Sequence, residues 1–318
     1  MNRIILLALL AVFGTAQAQD YPNKQVKIIV PGAAGSVPDF LARTIGQRLS
    51  DQWRQPVLVE NIVGAGGNIG TDRVAKAPAD GYTLLLNTIA PIAVNQSLMG
   101  KLPYDPVKDL APITQVANTA NILAVHPSFP AKSLQEIISL AKASPGKYSY
   151  PSGGNGTTQH LSGELLNMMA GVKLVHIPYK STAQMTSDAL GGQIQIIFHN
   201  APVVLPYVRS GALRGIAVTS ATRQPYAPEL PTMSEAGLPG FEVSAFFGVM
   251  VPSGVPQSII AKLHREITAI MAIPEVRERF LAQAAEPVGN RPAEYAAFIQ
   301  SEIAKWARVV KEADLKVD

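Results

Sequence analysis

The chain reads as a two-domain α/β protein, and three observations lead there. Its 318 residues exceed what a single hydrophobic core usually serves. Short β-prone runs alternate with stretches whose apolar residues recur at helical spacing, the pattern of strands layered with helices. One order of elements, strand–loop–helix–strand–helix–strand, occurs twice, each time opening on a glycine-rich loop that runs into a helix.

The first 18 residues stand apart from the fold. Arg3, the apolar run Ile4 to Val12 and the small-x-small triplet Ala16-Gln17-Ala18 form a secretory signal peptide, with cleavage expected after Ala18. No later apolar run is long enough to span a bilayer, so an exported mature chain from Gln19 is expected. The absence of cysteine excludes disulfides, thiolate metal sites and thiol nucleophiles. The five histidines (His126, His160, His176, His199, His264) have no paired ligand spacing, and no acidic cluster suggests calcium; neither a metal nor a cofactor is expected. The net charge of +4 is spread along the chain without a basic block, which argues against nucleic acid and suits anionic solutes.

The first copy of the repeat begins with the strand Val26 to Val30, then Pro31-Gly32-Ala33-Ala34-Gly35-Ser36-Val37-Pro38-Asp39, then a helix with Leu41, Ile45 and Leu49 on one face. Pro38 and Asp39 suit a first helical turn. A strand Val57 to Glu60 leads to Gly64-Ala65-Gly66-Gly67-Asn68-Ile69-Gly70. That run fails as a dinucleotide fingerprint because Ile69 occupies the third glycine position; it reads as a tight turn under the helix Ile69 to Ala75. The strand Tyr82 to Leu86 ends at Asn87-Thr88, which either face a cleft or cap the next turn. Lys101 to Pro112 reads as a surface connection, Asn121 to Val125 as a strand crossing to the second domain, and Ser133 as the cap of an amphipathic helix ending near Ala143.

The second copy carries the most chemistry. A strand Lys147 to Tyr150 runs into Ser152-Gly153-Gly154-Asn155-Gly156-Thr157-Thr158, and then a helix with Leu161, Leu165 and Met168 on one face. The first N–H groups of a helix lack intrahelical partners, the dipole is positive there, and glycines let a ligand approach the backbone. Two readings stand: an anion site built from main-chain donors, or a tight turn in which Thr157 or Thr158 caps the helix. The matching loop Gly35 to Asp39 favours the first, with one anion site at each end of a cleft. A strand Lys173 to Ile177 leads to Tyr179 and Lys180; Lys180 faces either a carboxylate or solvent. A helix Met185 to Leu190 and a strand Ile194 to Phe198 follow, and His199 and Asn200 stand at that strand's end, as structural hydrogen-bonding groups or as ligand contacts. Phe241 to Pro252 crosses back to the first domain. From Pro256 onward two core-facing helical stripes follow, Ile260, Leu263, Ile267, Ile270 and Tyr295, Ile299, Trp306, Val310. The expected domains are 19–122 with 247–318, and 123–246, hinged on two crossing strands.

These stretches, among them IIVPGAAGSVPDFLAR, QPVLVENIVGAGGNIG, KLPYDPVKDLAPIT, SGGNGTTQHLSGELL, VHIPYKS and LGGQIQIIFHN, resemble in order the substrate-binding proteins of tripartite tricarboxylate transporters, the Bug or TctC-like receptors. The resemblance implies a two-domain periplasmic-binding-protein (Venus flytrap) architecture, each domain a central mostly parallel sheet flanked by helices. It implies a monomeric receptor that grips a small organic acid between its two glycine-rich loops and hands it to the membrane components of the transporter. The ligand-binding residues expected are Gly35, Ser36, Val37, Asp39, Thr88, Ser152, Gly153, Gly156, Thr157, Thr158, His160, Lys180, His199 and Asn200. Gly32 stands where such receptors commonly carry an aromatic residue, Ser36 where they carry a second glycine, Ser181 where a glycine is common, and His199 where an acid is common. The loss of the aromatic and of the acid favours a dicarboxylate or a planar aromatic acid over an amino acid. Two other functions share the same architecture. One is an exported hydrolase using Ser36 or Ser152 with His160 as base, although no G-x-S-x-G elbow is present. The other is a sensory receptor feeding a membrane kinase.

Overall fold

Buried on nearly every residue, Val26–Val30 forms β1, and the loop after it turns into α1 (Val37–Trp53). Pro38 presets the first turn, Asp39 sits where the dipole favours an acid, and Leu41, Ala42, Ile45 and Leu49 face inward. The computed structural model describes residues 21–179 and 181–315. The expected signal peptide at 1–18 lies outside them.

β2 (Val57–Asn61), α2 (Asn68–Ala75) and β3 (Thr83–Asn87) complete the first copy, with β1 paired in parallel to both β2 and β3. A π-helical turn at Ala90–Val94 runs into the short α3 (Asn95–Leu98). Next come β4 (Leu110–Val125) and α4 (Leu134–Ala143), the latter capped by Ser133, whose Oγ accepts from the Glu136 N–H. The second copy is β5 (Ser149–Ser152), α5 (Thr158–Ala170), β6 (Val175–Pro178), α6 (Thr182–Leu190) and β7 (Ile196–Asn200). Here β5 and β6 form a separate parallel pair. The chain continues through α7 (Ala201–Arg209), β8 (Arg214–Val218) and β9 (Ser244–Pro252), then α8 (Gln257–Ala272), α9 (Pro274–Ala282), β10 (Glu286–Pro287) and α10 (Pro292–Glu312).

β4 runs through both halves. From Leu110 to Ala120, β4 pairs antiparallel with β9; from Asn121 to Val125 it pairs instead with β7 and β8. β9 in turn pairs with β3. Among the described residues, every antiparallel pairing involves β4 or β9. Both helical stripes lie in the core. The α8 stripe packs with Ile28, Leu84 and Val249, and Tyr295 and Trp306 of α10 are fully buried. The Tyr295 hydroxyl reaches back to β3 and donates to Asn87 Oδ1 at 2.8 Å.

Several sequence-based boundaries shift, among them those of β4 to β7. β4 begins at Leu110, so the segment read as a surface connection ends earlier and the strand is 16 residues long. Pro112 is tolerated because the β4–β9 register shifts between Pro112 and Thr114, where no ladder donor is needed. β5 and β6 each sit toward the C-terminal side of their expected ranges, since the in-register pairs run from Ser149↔Val175 to Ser152↔Pro178. β7 extends through His199 and Asn200, which pair with Ile122 and Asn121. His199 and Asn200 are therefore the last rungs of a strand rather than residues beyond it.

Gly248 of β9 is a point of close packing. A Cβ there would come within 2.3 Å of the Tyr295 hydroxyl oxygen and 2.4 Å of its Cζ. Gly248→Ala is expected to destabilise the fold by about 1–3 kcal/mol through overpacking. A melting temperature lower by several degrees would show it, and an unchanged melt would contradict the packing.

Candidate functional site

The N-terminal turns of α1 and α5 line a single cavity of about 390 Å³. The first half contributes Ser36, Val37, Pro38, Gly66, Thr88, Ile89, Ala90, Asn95 and Met99; the second contributes Asn155 to Gln159 and Asn200; β9 contributes Ala245 and Phe247. None of these residues carries a formal charge. Hydroxyls, amides and helix ends supply the polarity, and Val37, Pro38, Ile89, Ala90, Met99, Ala245 and Phe247 supply the apolar surface.

Both helix starts are arranged to present main-chain donors. At α1, Ser36 is the N-cap by position but makes no side-chain cap; its hydroxyl donates to the Ala33 carbonyl at 2.6 Å. The N–H groups of Val37 and Asp39, in the first turn, have no acceptor within the helix. At α5, Thr157 Oγ1 accepts from the His160 N–H at 3.4 Å, leaving Thr158 and Gln159 as the leading main-chain donors. Gly156 has φ 79°, and a Cβ there would come within 3.0 Å of Leu98 Cδ2. Only glycine both adopts that conformation and fits against α3.

The loops are held from behind. Asp39 Oδ2 accepts from the Gly35 N–H at 2.9 Å and from Arg43 Nε at 3.0 Å. Arg43 Nη2 donates to Asn61 Oδ1 at 3.1 Å, and Asn61 Nδ2 donates to the Gly32 carbonyl at 3.1 Å. One half-exposed guanidinium thus ties both ends of the first loop. Burial works against ionisation of Asp39, but hydrogen bonds from Arg43, Gly35 and Asn61 outweigh it and hold the carboxyl below the usual range. In the second loop, Ser152 Oγ lies 2.6 Å from His176 Nε2 and bonds both the N–H (2.9 Å) and the carbonyl (3.1 Å) of Gly154. The His176 ring packs against His160 with centroids 4.2 Å apart. The Gly156 N–H donates to His160 Nδ1 at 3.2 Å, which places the imidazole proton on Nε2.

The expected site residues divide accordingly. Ser36, Val37, Thr88, Gly156, Thr157, Thr158 and Asn200 line the cavity. Gly35 and Asp39 lie behind the first loop, on an outer cavity with Arg43. Ser152 and His160 are buried beneath the second loop and Gly153 lies outside the cavity lining. His199 is buried, with its Nε2 3.2 Å from Thr186 Oγ1. Lys180 lies outside the described residues. The histidine against Ser152 is His176 rather than His160, with Ser152 Oγ 2.6 Å from His176 Nε2. Ser152 is completely buried, however, and its Oγ is committed to the loop, so it offers no nucleophile. The sequence reading missed Gly66, Asn95, Met99, Gln159 and Phe247 as lining residues. Gly66 stood inside a motif set aside as a turn, and Gln159 directly follows the expected loop. Asn95 and Phe247 reach the cavity only through the fold.

A family model described as tripartite tricarboxylate transporter family receptor matches residues 41–315. Protein BugT of Bordetella pertussis is 39% identical over 325 residues, covering 100% of each chain. An R. palustris protein solved with adipate superposes with a TM-score of 0.82 at 36% identity, covering 94% of this chain and 100% of that one. MatC of Rhodopseudomonas palustris, solved with bound malate, gives 0.77 at 31% identity, covering 91% and 100%. These structures and this chain share the two-domain periplasmic-binding-protein fold.

The fold holds both buried histidines neutral. Burial, and for His160 also the neighbouring His176, takes His160 down to about 3; burial alone takes His199 to about 4. The unfolded chain takes up these protons near pH 6.5, about the unperturbed value. This contribution to stability is therefore complete above about pH 6.5 and is lost as pH falls toward about 4 for His199 and about 3 for His160. The melting temperature should fall over that window, and less steeply in His199→Gln; a flat profile from pH 7 to 4.5 would contradict the assignment.

Proposed function

The chain belongs to the tripartite tricarboxylate transporter receptor family, and from that premise we propose that it captures a dicarboxylate or an aromatic acid between its two glycine-rich loops. It is a periplasmic solute-binding receptor and not an enzyme. The observation that carries the ligand reading is the uncharged cavity lined by two helix N-termini. An anion entering it meets main-chain N–H groups and two positive dipole ends. Each such end contributes about 0.3–1 kcal/mol when exposed and up to about 2 kcal/mol when partly buried. The apolar residues between the ends suit a carbon skeleton joining two carboxylates. An amino-acid ligand fits less well, because among the described lining residues no carboxylate is present for its ammonium.

Capture follows from the same arrangement. One carboxylate binds the first turn of one helix in the open form, and closure brings the other helix to the second. Closure is favoured by whatever contacts exist only in the closed state. The proposed moving bodies are 19–122 with 247–318, and 123–246, bending where β4 exchanges β9 for β7 and β8. The closed monomer, released from its leader after Ala18, is then read by the membrane components of the transporter.

A thermal-shift screen of residues 19–318 against mono-, di- and tricarboxylates, aromatic acids and amino acids tests this reading. A dicarboxylate or aromatic acid at a hundredfold excess over its dissociation constant should stabilise the protein by about 2.7 kcal/mol. A shift with amino acids alone would overturn it.

A further inference from the structure

We propose that Asn95 selects ligands that carry a hydroxyl between their carboxylates, so that the receptor takes hydroxy acids in preference to their unsubstituted counterparts. This rests on the carboxylate reading above and narrows it. Asn95 lines the cavity yet is only 1% exposed. Both amide protons are used inside the protein. Nδ2 donates to Asn68 Oδ1 at 2.7 Å and to the Gly66 carbonyl at 3.2 Å.

Those partners fix which way the amide faces. The Gly66 carbonyl can only accept. Asn68 Nδ2 is directed to Met99 Sδ at 3.3 Å, which leaves its Oδ1 toward Asn95 Nδ2; the Tyr104 hydroxyl lies 2.9 Å from that oxygen and 2.8 Å from the Pro91 carbonyl, with one proton for the two. A flipped Asn95 would set its oxygen against the Gly66 carbonyl, which has no proton to give. Its Oδ1 is therefore the atom turned toward the second loop. It lies 3.9 Å from where a Cβ on Gly156 would stand, and 3.7 Å from the corresponding point on Gly66.

The cavity thus holds main-chain donors at the two helix starts and a fixed acceptor on the wall beside them. A carboxylate oxygen placed against Asn95 Oδ1 is repelled, and a methylene leaves the acceptor desolvated without a partner. A ligand hydroxyl donates to it. An ammonium would donate as well, but the described lining provides no opposite charge to offset its desolvation. The chemistry that fits is a hydroxyl on a dicarboxylate backbone.

The test is calorimetry with matched pairs: malate with succinate, 3-hydroxyglutarate with glutarate, and 3-hydroxyadipate with adipate. In the wild type, at least one hydroxylated member should bind about ten- to a hundredfold more tightly than its partner. In Asn95→Leu that ratio should collapse toward one, chiefly by loss of affinity for the hydroxylated member; Asn95→Ala, which cannot overpack, is run beside it. Equal or weaker binding of the hydroxylated member in every pair overturns the inference and leaves the carboxylate reading standing. A hydroxyl preference that persists undiminished in a folded Asn95 variant overturns the role of Asn95. Failure of every acid to bind overturns both readings.

Discussion

A charged solute in this cleft meets no formal opposite charge among the described lining residues, and the surrounding structure follows from that constraint. Dipoles and N–H groups act only over short range and only when pointed correctly, whereas a lysine would forgive misplacement. Both loops are accordingly held by side chains that never touch the cavity. Arg43 gathers the first loop through Asp39 and Asn61, and the Ser152–His176 contact and His160 gather the second. Keeping His160 neutral is part of the same arrangement, since a protonated Nδ1 could not accept the Gly156 N–H.

The two halves that carry these loops are joined through the middle of a sheet. β4 is continuous across the point where its partners change, with Ala120 opposite Ser244 and Asn121 opposite Asn200. A bend there alters the angle between the two ladders without breaking either. Tyr295 fastens α10 to the sheet of the first half, bonding Asn87 at the end of β3 and filling the space that Gly248 leaves open. At the cleft the two halves already lie close, since a Cβ added to Gly156 would stand 3.0 Å from Leu98 Cδ2.

The duplicated strand–loop–helix order was legible because it is local: glycine, then hydroxyls, then an apolar period. So were the stripes of α8 and α10, since buried helix faces announce themselves by spacing alone. The start of β4 was not legible. Its polar residues, such as Thr114, Gln115 and Thr119, are buried by pairing with β9 and by contacts that no local pattern records. His160 was placed in the cleft because it follows the loop in sequence; the fold turns it under the loop against His176, a partner set by the β5–β6 pairing. Asn95 and Phe247 lie far from either loop along the chain, and only the tertiary fold brings them to the same cavity.

Main-chain recognition of the ligand is tested most directly by amide NMR of the mature protein titrated with a dicarboxylate. The N–H signals of Val37, Asp39, Thr158 and Gln159 should move farthest, downfield as they take up carboxylate oxygens, with arginine and lysine side-chain signals little changed. Large shifts confined to side-chain cations, with those four amides unmoved at saturation, would contradict it.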